Sequence, residues 1–361
     1  MMTEKLITVI KAFAFDGEVV DAKPFGSGHI NETVLLTTDK KSQYILQKIN
    51  TYVFTNPQGL MENVFNVTEY LKKRLVERNE DPNKGTLTFI RTRDGKLYYD
   101  GPEGAWRAYR FQGDLIALNA ARTPTDFYAS GKAFGRFQAL LGDYPAETLF
   151  ETIPHFHDTP SRYAQLHQAI EGNASGRLDT VKAEVEFALE REKNASIVMD
   201  LQKEGVLPLR VTHNDTKLNN VLLDPKTGEG VCVIDLDTIM PGQAIFDFGD
   251  SIRFGASTAT EDEKDLSKVE MSLELFEAYT KGFLEGCNNV LTPAEKDLLP
   301  TGAWMMTLEC GIRFLADYLN GDVYFKTAYP EHNLDRARTQ FKLIQEMEEK
   351  QDQMQAIVAK Y

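Results

Sequence analysis

Polar residues in one short segment, together with an aspartate beyond an apolar hairpin, have the types and spacing that phosphoryl transfer requires. The segment from His213 to Asn220 has the pattern H-x-D-x-x-x-x-N, and Asp235 closes the second apolar run after it. Asp215 could accept the proton of an acceptor hydroxyl, while Asn220 and Asp235 could supply a neutral and an anionic oxygen ligand to a metal ion. We therefore predict Asp215 as a catalytic residue and Asn220 and Asp235 as metal ligands.

Each of these residues also has a structural interpretation. A carboxylate at the start of a loop can cap a helix N-terminus, and a buried histidine can serve only to organise a loop through hydrogen bonds. For His213 alone we favour the structural role. For Asp215, Asn220 and Asp235 together, phosphoryl-transfer chemistry explains the pattern better.

The tripeptide Asp247-Phe248-Gly249 spells the metal-binding D-F-G sequence of protein kinases, but its position argues against that role. A metal-binding aspartate should close the strand that pairs back onto the catalytic loop, and Asp235 occupies that place. We expect Asp247 to accept hydrogen bonds from backbone amides of the loop instead. Asp250 is either a helix-start residue or a pocket carboxylate. Asp237 shares a face with Asp235 if the strand continues, which predicts a second metal ligand or a substrate contact.

The elements that must position these residues change character along the chain. Before residue 111, short β-prone runs alternate with turns, interrupted by one helix whose apolar residues Val64, Val67, Leu71 and Leu75 recur at helical spacing. After residue 111 helical periodicity dominates, with a long charged helix expected near residues 178–204 and a last helix from about Asp335. The pattern predicts an α+β chain with a small β-rich N-lobe, residues 1–110, and a larger, mainly helical C-lobe, residues 111–361.

Composition excludes several classes of partner. The chain has 361 residues, with 40 Lys and Arg against 54 Asp and Glu, a net charge of −14 that would repel nucleic acid and anionic membranes. Its three cysteines are widely spaced, which fits neither a disulfide framework nor a thiolate zinc cluster and indicates a reducing cytoplasm. Neither a signal peptide nor a membrane-spanning apolar run is recognised. We expect a cytoplasmic protein with no nucleic-acid, membrane or protein partner.

A glycine-containing loop between two β-prone runs is the candidate phosphate-covering loop. It contains Gly26, Ser27 and Gly28, and its glycines permit close backbone approach to phosphates, although G-x-G alone is also typical of a plain hairpin turn. Asn31 stands where a third glycine would complete G-x-G-x-x-G, which argues against a dinucleotide-binding fingerprint. Walker-type NTPases are excluded because Gly131-Lys132 is followed by alanine.

The strand after this loop should carry the positive charge that contacts the nucleotide phosphates. If residues 44–46 fill the usual apolar positions, Gln47 stands where kinases place their phosphate-binding lysine, and Lys48 faces the opposite side. Either Gln47 contacts the phosphates with less positive charge, or a shift of register brings in Lys48. Glu62 and Glu69 are the helical glutamates that could pair with such a cation, although solvated glutamates are commoner on a helix face.

The motifs together resemble the aminoglycoside-phosphotransferase-like kinases, relatives of choline and homoserine kinases that share the protein-kinase fold. This resemblance rests on residues 213–220, 234–235 and 246–250. A narrower resemblance extends these motifs, adds residues 28–31 and 311–318, and spans almost the whole chain; it is to the N-acetylhexosamine 1-kinases. It implies a bilobal protein-kinase-like fold and ATP- and Mg²⁺-dependent phosphorylation of N-acetylglucosamine or N-acetylgalactosamine at the anomeric hydroxyl.

The resemblance also implies which residues contact the nucleotide. The segment between the lobes would offer backbone groups to adenine. Candidate nucleotide contacts are Gly26, Ser27, Gly28, Gln47, Lys48, Arg110, Phe111 and Gln112.

The acceptor is expected to be a small molecule. Between Asp235 and Asp247 lie only the eleven residues 236–246, too few for the segment on which protein kinases dock polypeptides. Arg313 lies in an apolar helix; if it is buried, it must meet a carboxylate or a ligand oxygen, and a salt bridge to Asp317 on the next turn is the structural alternative. The resemblance favours a sugar contact. Candidate substrate residues are His29, Asp215, Asp237, Thr238, Phe254, Arg313 and Tyr324.

Two other functions fit part of the pattern. A related small-molecule kinase would act on homoserine, choline or an aminoglycoside, but a cationic substrate is disfavoured if Arg313 faces the cleft. A non-catalytic nucleotide-binding protein is suggested by Gln47. The intact set of Asp215, Asn220 and Asp235 argues against that second alternative.

Overall fold

A computed structural model describes residues 3–26 and 31–361. Its helices are α1 (Glu4–Ala12), α2 (Pro57–Glu77), α3 (Pro82–Gly85), α4 (Pro124–Leu140), α5 (Thr159–Gly172), α6 (Lys182–Arg191), α7 (Ile197–Lys203), α8 (Ala244–Gly255), α9 (Leu273–Cys287), α10 (Pro293–Asp297), α11 (Leu299–Asn320), α12 (His332–Glu349) and α13 (Gln351–Val358). Its strands are β1 (Val19–Pro24), β2 (Glu32–Thr38), β3 (Gln43–Lys48), β4 (Phe89–Ile90), β5 (Tyr99–Gly101), β6 (Gly104–Arg110), β7 (Ile116–Ala117), β8 (Arg210–Thr212), β9 (Val221–Leu223), β10 (Gly230–Val233) and β11 (Met240–Gly242).

The chain divides into two compact units, each assembled from separate stretches of sequence. Unit 1 comprises residues 1–117, 143–154 and 220–241, and unit 2 comprises residues 118–142, 155–219 and 242–361. The first change of unit follows β7. The two later returns of the chain to unit 1 have no counterpart in the composition or the periodicity of the sequence.

Unit 1 is built on an antiparallel sheet with the strand order β1-β2-β3-β6-β4, in which β5 also pairs with β6. Helix α1 covers one face, where its apolar residues meet those of the sheet in a buried cluster that includes Val9, Ile10, Phe13, Leu36, Leu46, Trp106 and Ala108. The register sets Gln47 opposite both Thr33 and Arg107, on the other face.

Helix α2 and a small second sheet complete this unit. The predicted apolar stripe is confirmed, since Val64, Val67, Leu71 and Leu75 are all buried. The predicted polar-ended hairpin is also present, as β9 and β10 pair antiparallel and β7 extends them. Short 3₁₀ turns at Leu218–Asn220 and Leu236–Thr238 flank this hairpin.

Unit 2 is mainly helical and is organised around two helix contacts. The long helix α11 is buried along most of its length and packs against α5, α8 and α12. Helix α4 packs closely on α9 because glycines face the partner backbone on both helices. A Cβ atom at Gly131 would lie 2.5 Å from the carbonyl oxygen of Tyr279, and one at Gly135 would collide with that of Phe283. The helix starts at Thr123 and Thr292 both form capping boxes.

Three helical predictions differ from the structure. The single charged helix expected near residues 178–204 is broken into α6 and α7, whose only buried side chains are Ala188 and Val198, so little packing sustains a continuous helix. The last helix, expected from about Asp335, is divided at Lys350 into α12 and α13, and the Lys350 ammonium donates to the carbonyl of Met271 at 2.9 Å. Helix α1 was not predicted, because the pattern indicates a single helix, α2, among the β-prone runs before residue 111.

No helix within the described ranges combines the length and the apolar character needed to cross a membrane. Cys232, Cys287 and Cys310 are free thiols, and the first two are buried.

The close contact of α4 and α9 gives a test of the packing. Replacing Gly135 by alanine should lower the free energy of unfolding by about 1–3 kcal/mol, because a Cβ there must push two helix backbones apart. Gly172→Ala at the end of α5 is the matched control, since a Cβ at that position meets nothing within 4 Å. Urea unfolding of both variants measures the difference, and equal stability of the two would contradict the packing.

Candidate active site

The loop that carries the predicted catalytic residue belongs to unit 2 and follows the buried strand β8. His213 is fully buried, and its ring meets those of Phe134 and Phe137 edge-on at 5.5 and 6.1 Å. Its Nδ1 accepts a hydrogen bond from the backbone N–H of Asp215 at 3.3 Å. Asn214 between them has a φ of 64°, a conformation that asparagine tolerates better than most residues. The loop is therefore tightly shaped by its own residues, and His213 has the structural role expected for it.

Asp247 holds this loop in place. Its carboxylate oxygens accept hydrogen bonds from the backbone N–H groups of His213 at 2.9 Å and Asn214 at 2.8 Å, and from the side-chain amide of Gln138 at 2.8 Å. Burial raises the pKa of Asp247, although His213 and these N–H donors oppose the shift. The aspartate of the D-F-G sequence thus supports the loop through backbone amides, as the sequence predicts.

Asp250, one turn further along α8, holds the next part of the loop. Its carboxylate accepts the backbone N–H of Thr216 at 3.0 Å and pairs with Arg253 at 3.1 Å. Burial disfavours the ionised form, but Arg253 and Lys217 lower the pKa of Asp250 below its usual value. Asp250 lies within α8, so the helix-start role does not apply, and its carboxylate holds the backbone of the loop at Thr216.

Asp215 itself is partly exposed and lies beside a cation. The ammonium of Lys217 lies 2.8 Å from the Asp215 carboxylate, and the Lys217 side chain is 38% exposed. Burial tends to lower the pKa of Lys217, but Asp215 raises it above its usual value. Lys217 therefore stays positively charged at neutral pH next to the predicted catalytic carboxylate. Lys217 is not among the site residues predicted from the sequence.

The predicted metal ligands lie at one end of the β9–β10 hairpin in unit 1. Val221 pairs with Val233, and the backbone N–H of Ile234 donates to the carbonyl of Asn220 at 2.9 Å, so Asn220 and Asp235 come together at the hairpin end. Asp235 has a φ of 58° and ψ of 54°, the left-handed region that aspartate enters at moderate cost. This turn of the backbone leads directly into the 3₁₀ turn Leu236–Thr238.

The chemistry of this pair fits a magnesium ion that is shared with phosphates. One amide and one carboxylate are hard oxygen donors, and Mg²⁺ is commonly held by one or two protein ligands together with substrate phosphates and water. In the described part of the chain, no group of three or more His, Cys, Asp or Glu side chains could hold a metal by itself. Asn220 and Asp235 would hold such an ion only together with a phosphate-bearing ligand.

Asp237, predicted to contact substrate or metal, is engaged within unit 1 instead. It is 5% exposed and forms an ion pair with the buried guanidinium of Arg107. Its other oxygen accepts from the side-chain amide of Asn31 at 2.7 Å. Both carboxylate oxygens therefore already have protein partners, and the predicted contact of Asp237 with substrate or metal stays a prediction.

The two candidate phosphate contacts on β3 lie on opposite faces of the sheet. Gln47 accepts from Arg107 at 2.6 and 3.0 Å and donates to Thr33 at 3.1 Å. Lys48 lies 5.9 Å from the centre of the Trp106 ring, on the face that α1 covers. The helical glutamates serve their own helix, since Glu62 accepts from Gln58 and Glu69 pairs with Lys72.

The other predicted nucleotide contacts are partly described. Ser27, Gly28 and His29 lie outside the described residues, while Gly26 has a φ of 79°. The backbone N–H groups of Arg110 and Phe111 donate to the carbonyls of Thr88 and Gln43, and the side chain of Gln112 donates to the carbonyl of Asn83 at 2.5 Å. These two backbone amides therefore serve the sheet, and any adenine contact there would use other groups.

In unit 2 the predicted substrate residues Arg313 and Tyr324 lie together. The guanidinium of Arg313 is 5.8 Å from the Tyr324 ring centre and 5.5 Å from that of Phe325. The structural alternative, a salt bridge to Asp317, is absent, because Asp317 accepts the backbone N–H groups of residues 323–325 and the side-chain amide of Asn333. Phe254 at the end of α8 is 40% exposed, and Thr238 lies in the 3₁₀ turn of unit 1.

A second arginine near Arg313 was not recognised from the sequence. Arg162 in α5 donates to the carbonyl of Phe156 at 2.8 Å and to the side chain of Gln165. Burial and the positive charge of Arg313 lower the pKa of Arg162. The nearby carboxylate of Glu309 accepts from Thr159 and contacts His157 at 2.9 Å. Arg162 lies in α5, far from Arg313 in the sequence, so no sequence pattern linked the two arginines.

Loop support by Asp247 can be tested without any assay of activity. Asp247→Asn should lower the free energy of unfolding by about 1–3 kcal/mol, because the amide presents a donor where backbone N–H groups need an acceptor. Asp179→Asn, which removes a solvent-exposed carboxylate beside Lys182, is the control and should leave stability unchanged. A thermal unfolding series that finds both variants equally stable would show that Asp247 does not hold the loop.

Comparison with known proteins identifies the family. The sequence model of the phosphotransferase enzyme family (APH) matches residues 21–273, well over half of the chain. An amicoumacin kinase solved with AMP-PNP and Ca²⁺ is similar in structure, with a TM-score of 0.62 and 15% identity over 97% of this chain and 94% of that one.

Two further solved structures have the same fold. A microcompartment-associated aminopropanol kinase gives a TM-score of 0.57 and 16% identity over 96% of this chain and 97% of its own. A choline kinase from Cryptosporidium parvum gives 0.55 and 14% identity over 95% and 93%. At these identities the likeness shows the fold alone, and it agrees with the predicted protein-kinase-like arrangement of elements. The family match establishes that this chain is a member of the APH phosphotransferase family.

Proposed function

We propose that this protein transfers the γ-phosphoryl group of ATP to the anomeric C1 hydroxyl of N-acetylglucosamine or N-acetylgalactosamine. The narrower sequence resemblance suggests this acceptor. The observation that carries it is the environment of Arg313, whose guanidinium forms no ion pair with any carboxylate in residues 3–26 and 31–361 and lies over two aromatic rings. Because Arg313 is partly exposed, its guanidinium can donate to an oxygen of a bound ligand.

The charge around Arg313 also favours a neutral acceptor over a cationic one. Arg162, whose pKa is lowered by burial and by the positive charge of Arg313, adds a second positive charge, and the carboxylate of Glu309 is already bonded to Thr159 and His157. An amino alcohol or an aminoglycoside would bring its ammonium groups toward two guanidinium groups. A sugar offers hydroxyl and amide oxygens, which accept hydrogen bonds from them.

In the proposed reaction the anomeric oxygen bonds to the γ-phosphorus, the bond from that phosphorus to the β–γ bridging oxygen breaks, and ADP leaves. Asp215 orients the hydroxyl and accepts its proton. Lys217 beside Asp215 adds a positive charge where the transferred group becomes negatively charged. Because an anomeric hydroxyl is more acidic than an ordinary alcohol, positioning matters more than base strength.

Asn220 and Asp235 are the residues that would hold magnesium, which when bound neutralises charge on the phosphates. The glycine loop from Gly26 and the strand residue Gln47 are the proposed nucleotide contacts. Tyr324, Phe254 and Thr238 are the proposed neighbours of the sugar, together with Arg313.

Replacement of Asp215 tests the proposed chemistry. Asp215→Asn should lower kcat by about 10²–10⁴-fold, because the amide cannot accept the hydroxyl proton, while sugar affinity measured by calorimetry stays close to wild type. Asp200→Asn, an exposed helix carboxylate beside Lys203, is the control. Turnover near the wild-type rate in Asp215→Asn would remove Asp215 from the reaction.

The acceptor is tested with a panel of substrates. With ATP and Mg²⁺, we expect turnover with the two N-acetylhexosamines and little with choline, homoserine or an aminoglycoside, and phosphorus NMR should place the phosphate on C1. Phosphorylation of an amino alcohol alone would replace the proposed acceptor, and no turnover on any compound would favour a non-catalytic nucleotide-binding protein.

The role of Arg313 is tested on the same panel. Arg313→Met should raise KM for the sugar by about tenfold or more, with KM for ATP unchanged, since a charge-assisted hydrogen bond to the ligand is lost. Lys182→Met, which removes an exposed cation in unit 2, is the control. An unchanged KM for the sugar would separate Arg313 from acceptor binding.

A further inference from the structure

Arg107 is a buried cation placed on the sheet face that carries Gln47. It lies on β6 directly opposite Gln47 of β3, and only 3% of its surface is exposed. Its Nε and Nη2 both donate to the side-chain oxygen of Gln47, at 3.0 and 2.6 Å, and its Nη1 pairs with Asp237. Burial tends to lower the pKa of Arg107, but Asp237 raises it above its usual value, so the guanidinium stays charged.

Asp237 links this cation to the segment that follows the predicted metal ligand Asp235. It lies in the 3₁₀ turn Leu236–Thr238, which begins at the residue after Asp235. Asn31 donates to the second oxygen of Asp237, and the Asn31 side-chain oxygen accepts from the backbone N–H of Asn50 at 3.0 Å. The side chains of Arg107 and Asn31 therefore fix the carboxylate from two sides.

The same segment is anchored further along by helix α2. Asn63 donates to the carbonyl of Ile239 at 3.0 Å and to the carbonyl of Phe150 at 2.8 Å, and its oxygen accepts the backbone N–H of Phe150 at 2.8 Å. The part of α2 that faces this segment thus carries an amide, while Glu62 and Glu69 bond within the helix. The ionic contact to this segment comes from the sheet and not from the helix.

A buried ion pair is a costly way to join a strand to a turn, because an apolar pair of similar volume is often as stable. The benefit of such a pair is a defined geometry. Asp235 has a left-handed backbone conformation, which persists only where neighbouring contacts hold it. Asp237, two residues later, is the nearest side chain in that segment with an ionic anchor.

We propose that Arg107 is a positioning residue for the metal site: through Asp237 it holds the turn after Asp235 and so sets the direction of the Asp235 carboxylate. Gln47, which stands where kinases place a phosphate-binding lysine, orients the guanidinium through its side-chain oxygen. This inference rests on the proposed function in so far as Asp235 binds the metal. It reassigns Asp237 from a substrate contact to a link between the sheet and the metal ligand.

The test uses the full-length protein and Mn²⁺ as the metal probe. Binding of Mn²⁺ in the presence of AMP-PNP is measured by electron paramagnetic resonance, thermal unfolding reports on the fold, and KM values are determined separately for metal-ATP and for the acceptor. The variants are Arg107→Lys, Asp237→Asn and the double variant Arg107→Met/Asp237→Asn. The exposed ion pair Lys40 and Asp16, at 2.6 Å in the same unit, supplies the matched double control Lys40→Met/Asp16→Asn.

The double variant separates positioning from stability. It leaves no buried charge unpaired, so it should unfold close to the wild-type temperature, yet its Mn²⁺ affinity should fall about 10- to 100-fold, as for other residues that orient a metal ligand. KM for metal-ATP should rise and KM for the acceptor should stay unchanged. Arg107→Lys keeps the charge, so its Mn²⁺ affinity should fall by less than about tenfold from the wild-type value, and this comparison with wild type preserves the test if the double variant does not fold.

Three results would overturn the inference. Wild-type Mn²⁺ affinity in a folded double variant would show that the ion pair serves only the fold. A rise in KM confined to the acceptor in Asp237→Asn would show that Asp237 contacts substrate. If Arg107→Lys lost as much affinity as the double variant, charge at this position would not matter. Failure of the wild-type protein itself to bind Mn²⁺ with AMP-PNP would instead overturn the proposed function.

Discussion

A carboxylate that leaves water must regain its hydrogen bonds inside the protein, and this requirement shapes the functional segments of both units. In unit 2, Asp247 and Asp250 on α8 satisfy it by accepting backbone N–H groups of the loop that carries Asp215. In unit 1, Asp237 satisfies it with a guanidinium from the sheet and an amide from Asn31. In each unit a buried acidic side chain therefore fixes the backbone next to a residue predicted to act in the reaction.

This division of labour separates residues that hold from residues that react. Asp247, Asp250 and Asp237 are buried and have partners within the protein, whereas Asp215 is partly exposed beside Lys217. A carboxylate that must take a proton from a ligand has to remain accessible, and one that must hold a loop has to be saturated with donors. The acidic composition of the chain conceals these two uses, since most of its Asp and Glu residues belong to the surface.

The local parts of this arrangement could be predicted from the sequence. Apolar spacing gave α2, and the polar-ended hairpin followed from two apolar runs with a turn. Even the support of the loop by Asp247 followed from its place after the metal-ligand strand. The contact of Asn31 with Asp237 joins residues 206 positions apart. In the sequence Arg107 has the pattern of an ordinary strand residue. No periodicity links residues so far apart, so neither contact of Asp237 could be predicted. The discontinuous units escaped prediction for the same reason, since long-range pairing and not local pattern decides where the chain returns.

The account depends on one spatial claim, that Asp215 meets the anomeric hydroxyl of the acceptor while Asn220 and Asp235 meet the metal on ATP. A crystal structure of the protein with AMP-PNP, Mg²⁺ and N-acetylglucosamine measures it directly. We expect the Asp215 carboxylate within hydrogen-bond distance of the C1 hydroxyl, oxygens of Asn220 and Asp235 on the metal, and Arg313 on a sugar oxygen. A sugar bound with another hydroxyl facing Asp215, or a metal held without Asp235, would contradict the account.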